Sequence, residues 1–162
     1  MPIANKKNIK SVLFLCTGNL CRSVMAEYIF NDYAKKQGLN IVAASAGIHA
    51  QAGLPTTKEN KEVLGQLGIS DINHYSQPMS LVLFNKYDLI CPLAPEHERF
   101  LTRYHSNQFL KIQSLFKLYK GPEEDIHIIG IIDPIGQDIE VYKKTLDMVQ
   151  DAVKNLIKEL TA

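Results

Sequence analysis

Cysteine is scarce. Three occur in 162 residues, at Cys16, Cys21 and Cys91, and so small and odd a count excludes a disulfide-stapled secreted scaffold. Net charge is almost absent too: 18 Lys and Arg stand against 17 Asp and Glu, leaving +1. A chain so balanced offers no general electrostatic attraction to nucleic acid or to an anionic membrane, so neither is an expected partner. Any affinity for anions has to be built locally. Long apolar runs are also missing; the stretch Val12 to Cys16 is far too short to span a bilayer. The first ten residues carry Lys6, Lys7 and Lys10 without a following signal-type apolar core. No repeat, low-complexity tract or long linker interrupts the chain. These absences predict one domain over 1–162, with 1–10 as a loosely ordered leader, in a reducing cytoplasm where a reactive thiol stays available.

What is present describes an ordinary globular chain, 46% hydrophobic and 22% charged, long enough to bury a core. Ser11 to Cys16 is a short apolar run of strand formers, suited to a strand buried on both faces. After the turn-like Thr17-Gly18-Asn19, Ser23 to Gln37 carries a helical stripe (Val24, Met25, Tyr28, Ile29, Tyr33) closed by Gly38. Ile41 to Ala46 reads as a second strand. Thr56 and Glu59 form a capping-box pattern before a helix whose core face is Val63, Leu64 and Leu67. Tyr87 to Leu93 resembles a third strand, and Pro95 with Glu96 and Glu98 suits the first turn of a further helix. A fourth strand is expected over Leu110 to Phe116. Ile139, Tyr142, Leu146, Val149, Val153, Leu156 and Leu160 alternate spacings of three and four, one apolar face of a long helix that docks on a sheet. Strands alternating with helices predict an α/β fold, a four-stranded parallel sheet with helices on both faces. Ligands of such sheets bind at the carboxyl ends of the strands, where position 16 falls.

The first strand-to-helix junction reads Cys16-Thr17-Gly18-Asn19-Leu20-Cys21-Arg22-Ser23. A cysteine and an arginine separated by five residues bracket a loop that can curl around a tetrahedral oxyanion. Its successive backbone N–H groups form a nest, and the helix beginning near Ser23 adds its positive end. Arg22 presents a planar fork to two phosphate oxygens. The same positive surroundings favour the thiolate form of Cys16, the nucleophilic one. Gly18 and Asn19 tolerate the left-handed backbone that a tight cradle needs. A Cys-x5-Arg spacing arises by chance in many chains; its position between an apolar strand and a helix start gives it meaning. A thiolate attacking phosphorus also needs an acid for the departing oxygen, and the same group can later activate water. Asp133, in Asp133-Pro134-Ile135-Gly136 after the apolar run Ile126 to Ile132, fits that role. It equally fits a simple turn-capping aspartate.

These residues resemble those of the low-molecular-weight protein tyrosine phosphatase family. The likeness covers Val12 to Ser23, Met25-Ala26-Glu27, Ser45-Ala46-Gly47, Tyr87-Asp88-Leu89-Ile90 and Asp133-Pro134, in the family's order across nearly the whole chain. The resemblance implies a phosphate-monoester hydrolase working through a phosphocysteine. Cys16 is then the nucleophile, Arg22 the phosphate clamp, and Asp133 the general acid and then base. Ser23 would donate to the Cys16 thiolate, Asn19 would hold the loop's backbone, and the amides of Thr17, Gly18, Asn19, Leu20, Cys21, Arg22 and Ser23 would line the phosphate. Cys21 matches a second loop cysteine, a candidate redox partner of Cys16. Neither a metal nor a cofactor is implied; the substrate would be a phosphorylated (phosphotyrosine) protein or a small phosphomonoester.

Two departures stand out, the second of which bears on substrate. The position after Ser23 holds Val24 where the family usually has proline, a change that touches helix entry more than chemistry. Ile135-Gly136 and His49-Ala50-Gln51-Ala52 occupy places where phosphotyrosine-directed members often carry aromatic residues that stack on the substrate ring. A thiol-dependent arsenate reductase on the same fold is an alternative, but it needs a cysteine relay, and only Cys91, inside the expected third strand, remains. A phosphate-binding regulatory module is another, though binding alone requires neither nucleophile nor acid. His49, His74, His97, His105 and His127 show no metal-ligand spacing. His97, between Glu96 and Glu98, reads as a solvated helix start, His49 and Gln51 as a solvated loop near the pocket, and Glu123, Glu124 and Asp125 as an exposed turn.

Overall fold

The computed structural model describes residues 3–104, 111–123 and 125–162. Three strands form a parallel sheet: β1 (Ser11–Cys16), β2 (Val42–Gly47) and β3 (Leu89–Pro92), in the order β2-β1-β3. Around it lie α1 (Arg22–Lys36), α2 (Lys58–Gln66), α3 (Leu81–Lys86), α4 (Pro95–Leu101), α5 (Ile126–Ile129) and α6 (Ile139–Thr161).

Alternation along β1 explains the layering. Val12, Phe14 and Cys16 belong to one apolar cluster, with Met25, Ile29 and Phe30 of α1 and Val149, Val153 and Leu156 of α6. Leu13 and Leu15 point the other way, into a smaller cluster with Ile90, Phe84 of α3 and Leu101 of α4. Side chains of a strand alternate between faces, so a central strand covered on both must be apolar at every position. From Val12 to Cys16 β1 is, which is why that stretch reads as an unbroken run. The seven apolar positions marking the last helix all serve the core; six are buried and Ile139 packs at its margin.

Several expectations are corrected. The sheet has three strands among the described residues, not four. In the region of the expected fourth strand, Ile112 makes a single parallel bridge to Ile90, Gln113 N–H donates to the Ile90 carbonyl at 3.0 Å, and Leu115–Leu118 then turns into a 3₁₀ helix. Leu110 lies outside the described residues. The apolar side chains there are still buried: Leu115 and Phe116 join the main core, but from a 3₁₀ turn. The helix at α2 is capped by Thr57, whose Oγ1 accepts from the Asn60 N–H at 3.2 Å. Thr56 instead donates to the Leu20 carbonyl, tying this segment to the loop after β1. Of the acidic turn, Asp125 is exposed, Glu123 accepts from the Tyr119 hydroxyl, and residue 124 lies outside the described residues. Residues 3–10, expected as a loosely ordered leader, contain a 3₁₀ turn (Lys6–Asn8) and place Ile3 and Ile9 in the main core.

The order β2-β1-β3 places the site. From β1 the chain crosses to one neighbour and later to the other, so β1 is where the winding reverses, and the crevice beyond its carboxyl end is open to a ligand. Cys16 pairs with Gly47, and Leu15 with Pro92, so the loops after all three strands converge there. The segment carrying Asp133 joins them: the Ile131 N–H donates to the Leu93 carbonyl at 2.9 Å.

Candidate active site

Residues 17–21 fold back between the end of β1 and the start of α1. Asn19 takes the left-handed conformation at φ 57°, a position that costs most side chains energy and that Asn tolerates best. Three hydrogen bonds of its side chain and one contact of its backbone carbonyl pin it. Asn19 Nδ2 donates to Ser23 Oγ and to Ser45 Oγ, both at 2.9 Å, and Oδ1 accepts from the Gln77 N–H at 2.9 Å. The Asn19 carbonyl lies 2.7 Å from His74 Nε2. Ser45 in turn donates to Glu27 Oε1 at 2.6 Å. Burial pushes the Glu27 carboxyl above its usual range, and the Ser45 hydroxyl partly counters this.

The sulfur of Cys16 sits in the hollow this loop makes, 3% exposed as a residue. Ser23 Oγ lies 2.9 Å from it and the Asn19 N–H points at it from 3.3 Å, so polar groups able to stabilise a negative sulfur face it. The helix α1 begins at Arg22, and the residue before it, Cys21, makes no side-chain cap. The positive end of this four-turn helix is therefore directed into the loop without an internal carboxylate or hydroxyl competing for it.

Cys21 is a different kind of thiol. It turns toward α6, with Sγ 3.4 Å from the Tyr142 hydroxyl and 3.7 Å from Thr57 Oγ1. Burial raises it above the ordinary thiol range, which outweighs the two hydrogen bonds. Cys91, expected to be a core residue, is wholly buried in β3, and desolvation drives it further up. All three cysteines are free thiols.

Arg22 is nearly buried and held from behind. Its Nη1 donates to the Ile131 carbonyl at 3.0 Å and Nη2 to Thr17 Oγ1 at 3.3 Å, while Asp133 Oδ2 lies 3.6 Å from Nη2. The Asp133 side chain is 46% exposed, at the mouth of the site. Its Oδ1 accepts the Ile135 N–H at 3.2 Å, so the turn-forming role and the position beside Arg22 coexist in one residue.

The structure thus assembles Cys16, Thr17, Asn19, Arg22, Ser23 and Asp133 into one crevice. Ser45, Glu27 and His74 were not among the sequence candidates, because their polar groups act through Asn19. The Ser45-Ala46-Gly47 and Met25-Ala26-Glu27 motifs mark Ser45 and Glu27; nothing local marks His74. His97 requires correction. It is fully buried, not solvated, and Nε2 lies 2.9 Å from Thr17 Oγ1. Pro95 starts α4, so position 97 points back across the first turn toward the loop, whereas Glu96 is exposed. Burial first, then the positive Arg22 and His49, lower the imidazole to about 3, so it is neutral. His49 itself is exposed, its N–H donating to the Thr17 carbonyl at 2.9 Å. Among the described residues no group of three His, Cys, Asp or Glu could hold a metal ion, and no helix is long and apolar enough to cross a membrane.

A buried cysteine in a tight loop at the carboxyl end of a central parallel strand, backed by a helix N-terminus and an arginine, defines a cysteine-dependent phosphatase. The chain belongs to the low molecular weight phosphotyrosine protein phosphatase family, whose model matches residues 11–162. It is similar to the protein-arginine-phosphatase of Bacillus subtilis (strain 168), 32% identical over 149 residues, covering 92% of this chain and 95% of that one. It is also similar to the low molecular weight protein-tyrosine-phosphatase YfkJ of the same organism, 41% identical over 127 residues, covering 76% and 80%. Among solved structures, a mutant YwlE arginine phosphatase with a phosphorylated active-site serine aligns with TM-score 0.81 at 29% identity, covering 93% of this chain and 95% of that one.

Proposed function

We propose that this phosphatase acts through Cys16. The thiolate sulfur attacks phosphorus in line with the leaving group, forming an S–P bond as the P–O bond to the substrate breaks. Asp133 gives its proton to the departing oxygen. The Asp133 carboxylate then takes a proton from water, whose oxygen attacks the phosphocysteine, releasing phosphate and returning the electron pair to sulfur. Arg22 clamps two non-bridging oxygens, and the amides of residues 17–23 receive the third, so positive charge is in place before the transition state forms. The observation that carries the reading is the setting of Cys16 Sγ, faced by Ser23 Oγ at 2.9 Å and the Asn19 N–H at 3.3 Å. Cys21 and Cys91 are poor rivals, since burial disfavours the thiolate of each. The inaccessibility of Cys91 also speaks against a reductase relay.

The family's ordinary substrate is phosphotyrosine on a protein. One feature of the rim favours a second reading. Ile135, 46% exposed, follows Asp133-Pro134 with no flat aromatic face to stack on a phenyl ring. Asp133 can face a guanidino group as well as a phenolic oxygen, so phosphoarginine, the substrate class named for the Bacillus subtilis relative, fits this mouth; its P–N bond then breaks in place of P–O, and the Asp133 proton goes to the departing guanidino nitrogen. Hydrolysis of para-nitrophenyl phosphate in reductant without metal tests the chemistry. Turnover by the wild type, none detectable for Cys16→Ser, and a fall in kcat of about 10²–10⁴-fold for Asp133→Ala are expected; full activity in Cys16→Ser would end the reading. Phosphate release from matched phosphoarginine and phosphotyrosine peptides then separates the two substrates, and a higher kcat/KM on phosphotyrosine would remove the second.

A further inference from the structure

His97 is buried where a neutral apolar residue would be the cheaper choice. Its Nδ1 has no hydrogen-bond partner among the described residues, an arrangement that costs folding free energy and calls for an explanation. The other ring nitrogen explains it. Nε2 lies 2.9 Å from Thr17 Oγ1, and that same oxygen accepts Arg22 Nη2–H at 3.3 Å. A short chain of hydrogen bonds therefore runs from the first turn of α4, through the first residue of the loop, to the guanidinium at its end. Whichever tautomer the imidazole adopts, the bond fixes the Thr17 hydroxyl and so the place where Nη2 rests. The opposite edge of the guanidinium is fixed by the Ile131 carbonyl at 3.0 Å. Without Thr17 held in position, Arg22 has one firm anchor and can swing toward the exposed Asp133 carboxylate 3.6 Å away.

Resting on the assignment of Arg22 as the phosphate clamp, we infer that His97 is a positioning residue for phosphate binding: acting through Thr17 Oγ1, it holds the Arg22 guanidinium in register with the loop. A two-point anchorage matters because the arginine fork recognises phosphate through two parallel N–H bonds, and a rotated fork loses one of them. Neutrality of the ring is part of the design, since a charged imidazole two bonds from Arg22 would push it away.

The test uses the full chain and inorganic phosphate as a competitive inhibitor of para-nitrophenyl phosphate hydrolysis, with kcat and KM measured alongside. His97→Leu and Thr17→Val each raise the phosphate Ki about tenfold, the loss of roughly one charge-assisted hydrogen bond. The double variant is no worse than either single one, because both cut the same chain. His97→Gln, whose amide reaches the place of Nε2, restores Ki to within about threefold of wild type, whereas His97→Asn, whose amide reaches only the place of Nδ1, does not. The Gln/Asn contrast decides the matter even if His97→Leu fails to fold. Equal Ki values in Gln and Asn variants, or multiplying effects of His97→Leu and Thr17→Val, would overturn the inference. A wild type without turnover would remove the reading of the crevice and this inference with it; an active wild type whose Ki ignores residue 97 overturns this inference alone.

Discussion

Asn19 carries more of the site than its size suggests. At φ 57° it is one of two described non-glycine residues with positive φ, and it is held by hydrogen bonds to Ser23, Ser45 and the Gln77 amide. Asn19→Ala removes the three bonds and leaves an alanine in a conformation that costs about 1–2 kcal/mol. The loop then relaxes and moves the donors away from Cys16. The expected outcome is a loss of about 10²-fold in kcat on para-nitrophenyl phosphate, the usual effect of a misplacement near 1 Å, with the fold retained by circular dichroism. Retention of wild-type kcat would show that the network is ornamental. The asparagine was recognisable in the sequence as a residue that tolerates a left-handed turn. Its partners Ser45 and His74 were not, because 26 and 55 residues separate them from it; the sheet register brings Ser45 near, and the bridging of the 77–79 segment to Gly47 brings His74.

Among elements, the segment from α5 to Asp133 is tightly specified by backbone. Gly130 ends α5 at φ 85°, and a Cβ built there would lie 2.4 Å from Ala94 Cβ and 2.5 Å from Ala94 Cα. Both the conformation and the close approach demand glycine. Gly130→Ala is expected to cost more than about 2 kcal/mol in urea unfolding, summing strain and overpacking. It also shifts the strand of chain that delivers Ile131 and Asp133 to Arg22, so kcat falls with stability. An alanine variant that melts and turns over like wild type would contradict this packing. Asp133-Pro134 announced a turn from its composition. That the turn faces Arg22 follows from the Ile131–Leu93 hydrogen bond, a contact no local pattern encodes. The expected fourth strand failed for a related reason: its apolar residues indicate burial, but pairing along a strand needs a partner in register, and among the described residues there only Ile112 finds one.

At the scale of the molecule, two buried imidazoles tie stability to pH. His97 is lowered to about 3 from 6.5, by burial and then by Arg22 and His49, with the Glu96 carboxylate 3.8 Å away as an opposing charge. His74 is lowered as well, burial outweighing its bond to the Asn19 carbonyl. A depressed imidazole means that the unfolded chain binds more protons, so stability present above about pH 6.5 is lost as pH falls toward the folded value. Glu27 works in the reverse sense: raised by burial, its contribution is retained in acid and declines as pH rises through its folded value. For His97 alone the loss between about pH 7.5 and about pH 5 is on the order of 2 kcal/mol, near 1 M in urea midpoint. His97→Gln, which cannot titrate, is expected to narrow the wild-type difference in midpoint between these two conditions. An undiminished difference would mean that other groups set the acid response.

Much of this protein is dictated by local order in the chain. The unbroken apolar run of β1 requires a strand covered on both faces, the three-and-four spacing over 139–160 requires a helix with one buried face, and the cysteine-to-arginine loop between strand and helix suits the proposed anion cradle without requiring it. Each depends on residues within a few turns of one another, where periodicity and turn chemistry act directly. Tertiary structure decided the rest: that the sheet has three strands among the described residues, that Thr57 and not Thr56 caps α2, that Cys21 faces Tyr142, and that His97 lies under the loop. Those outcomes turn on contacts between distant segments. The same residue can be solvated or buried there, and which it is depends on what the rest of the chain packs against it.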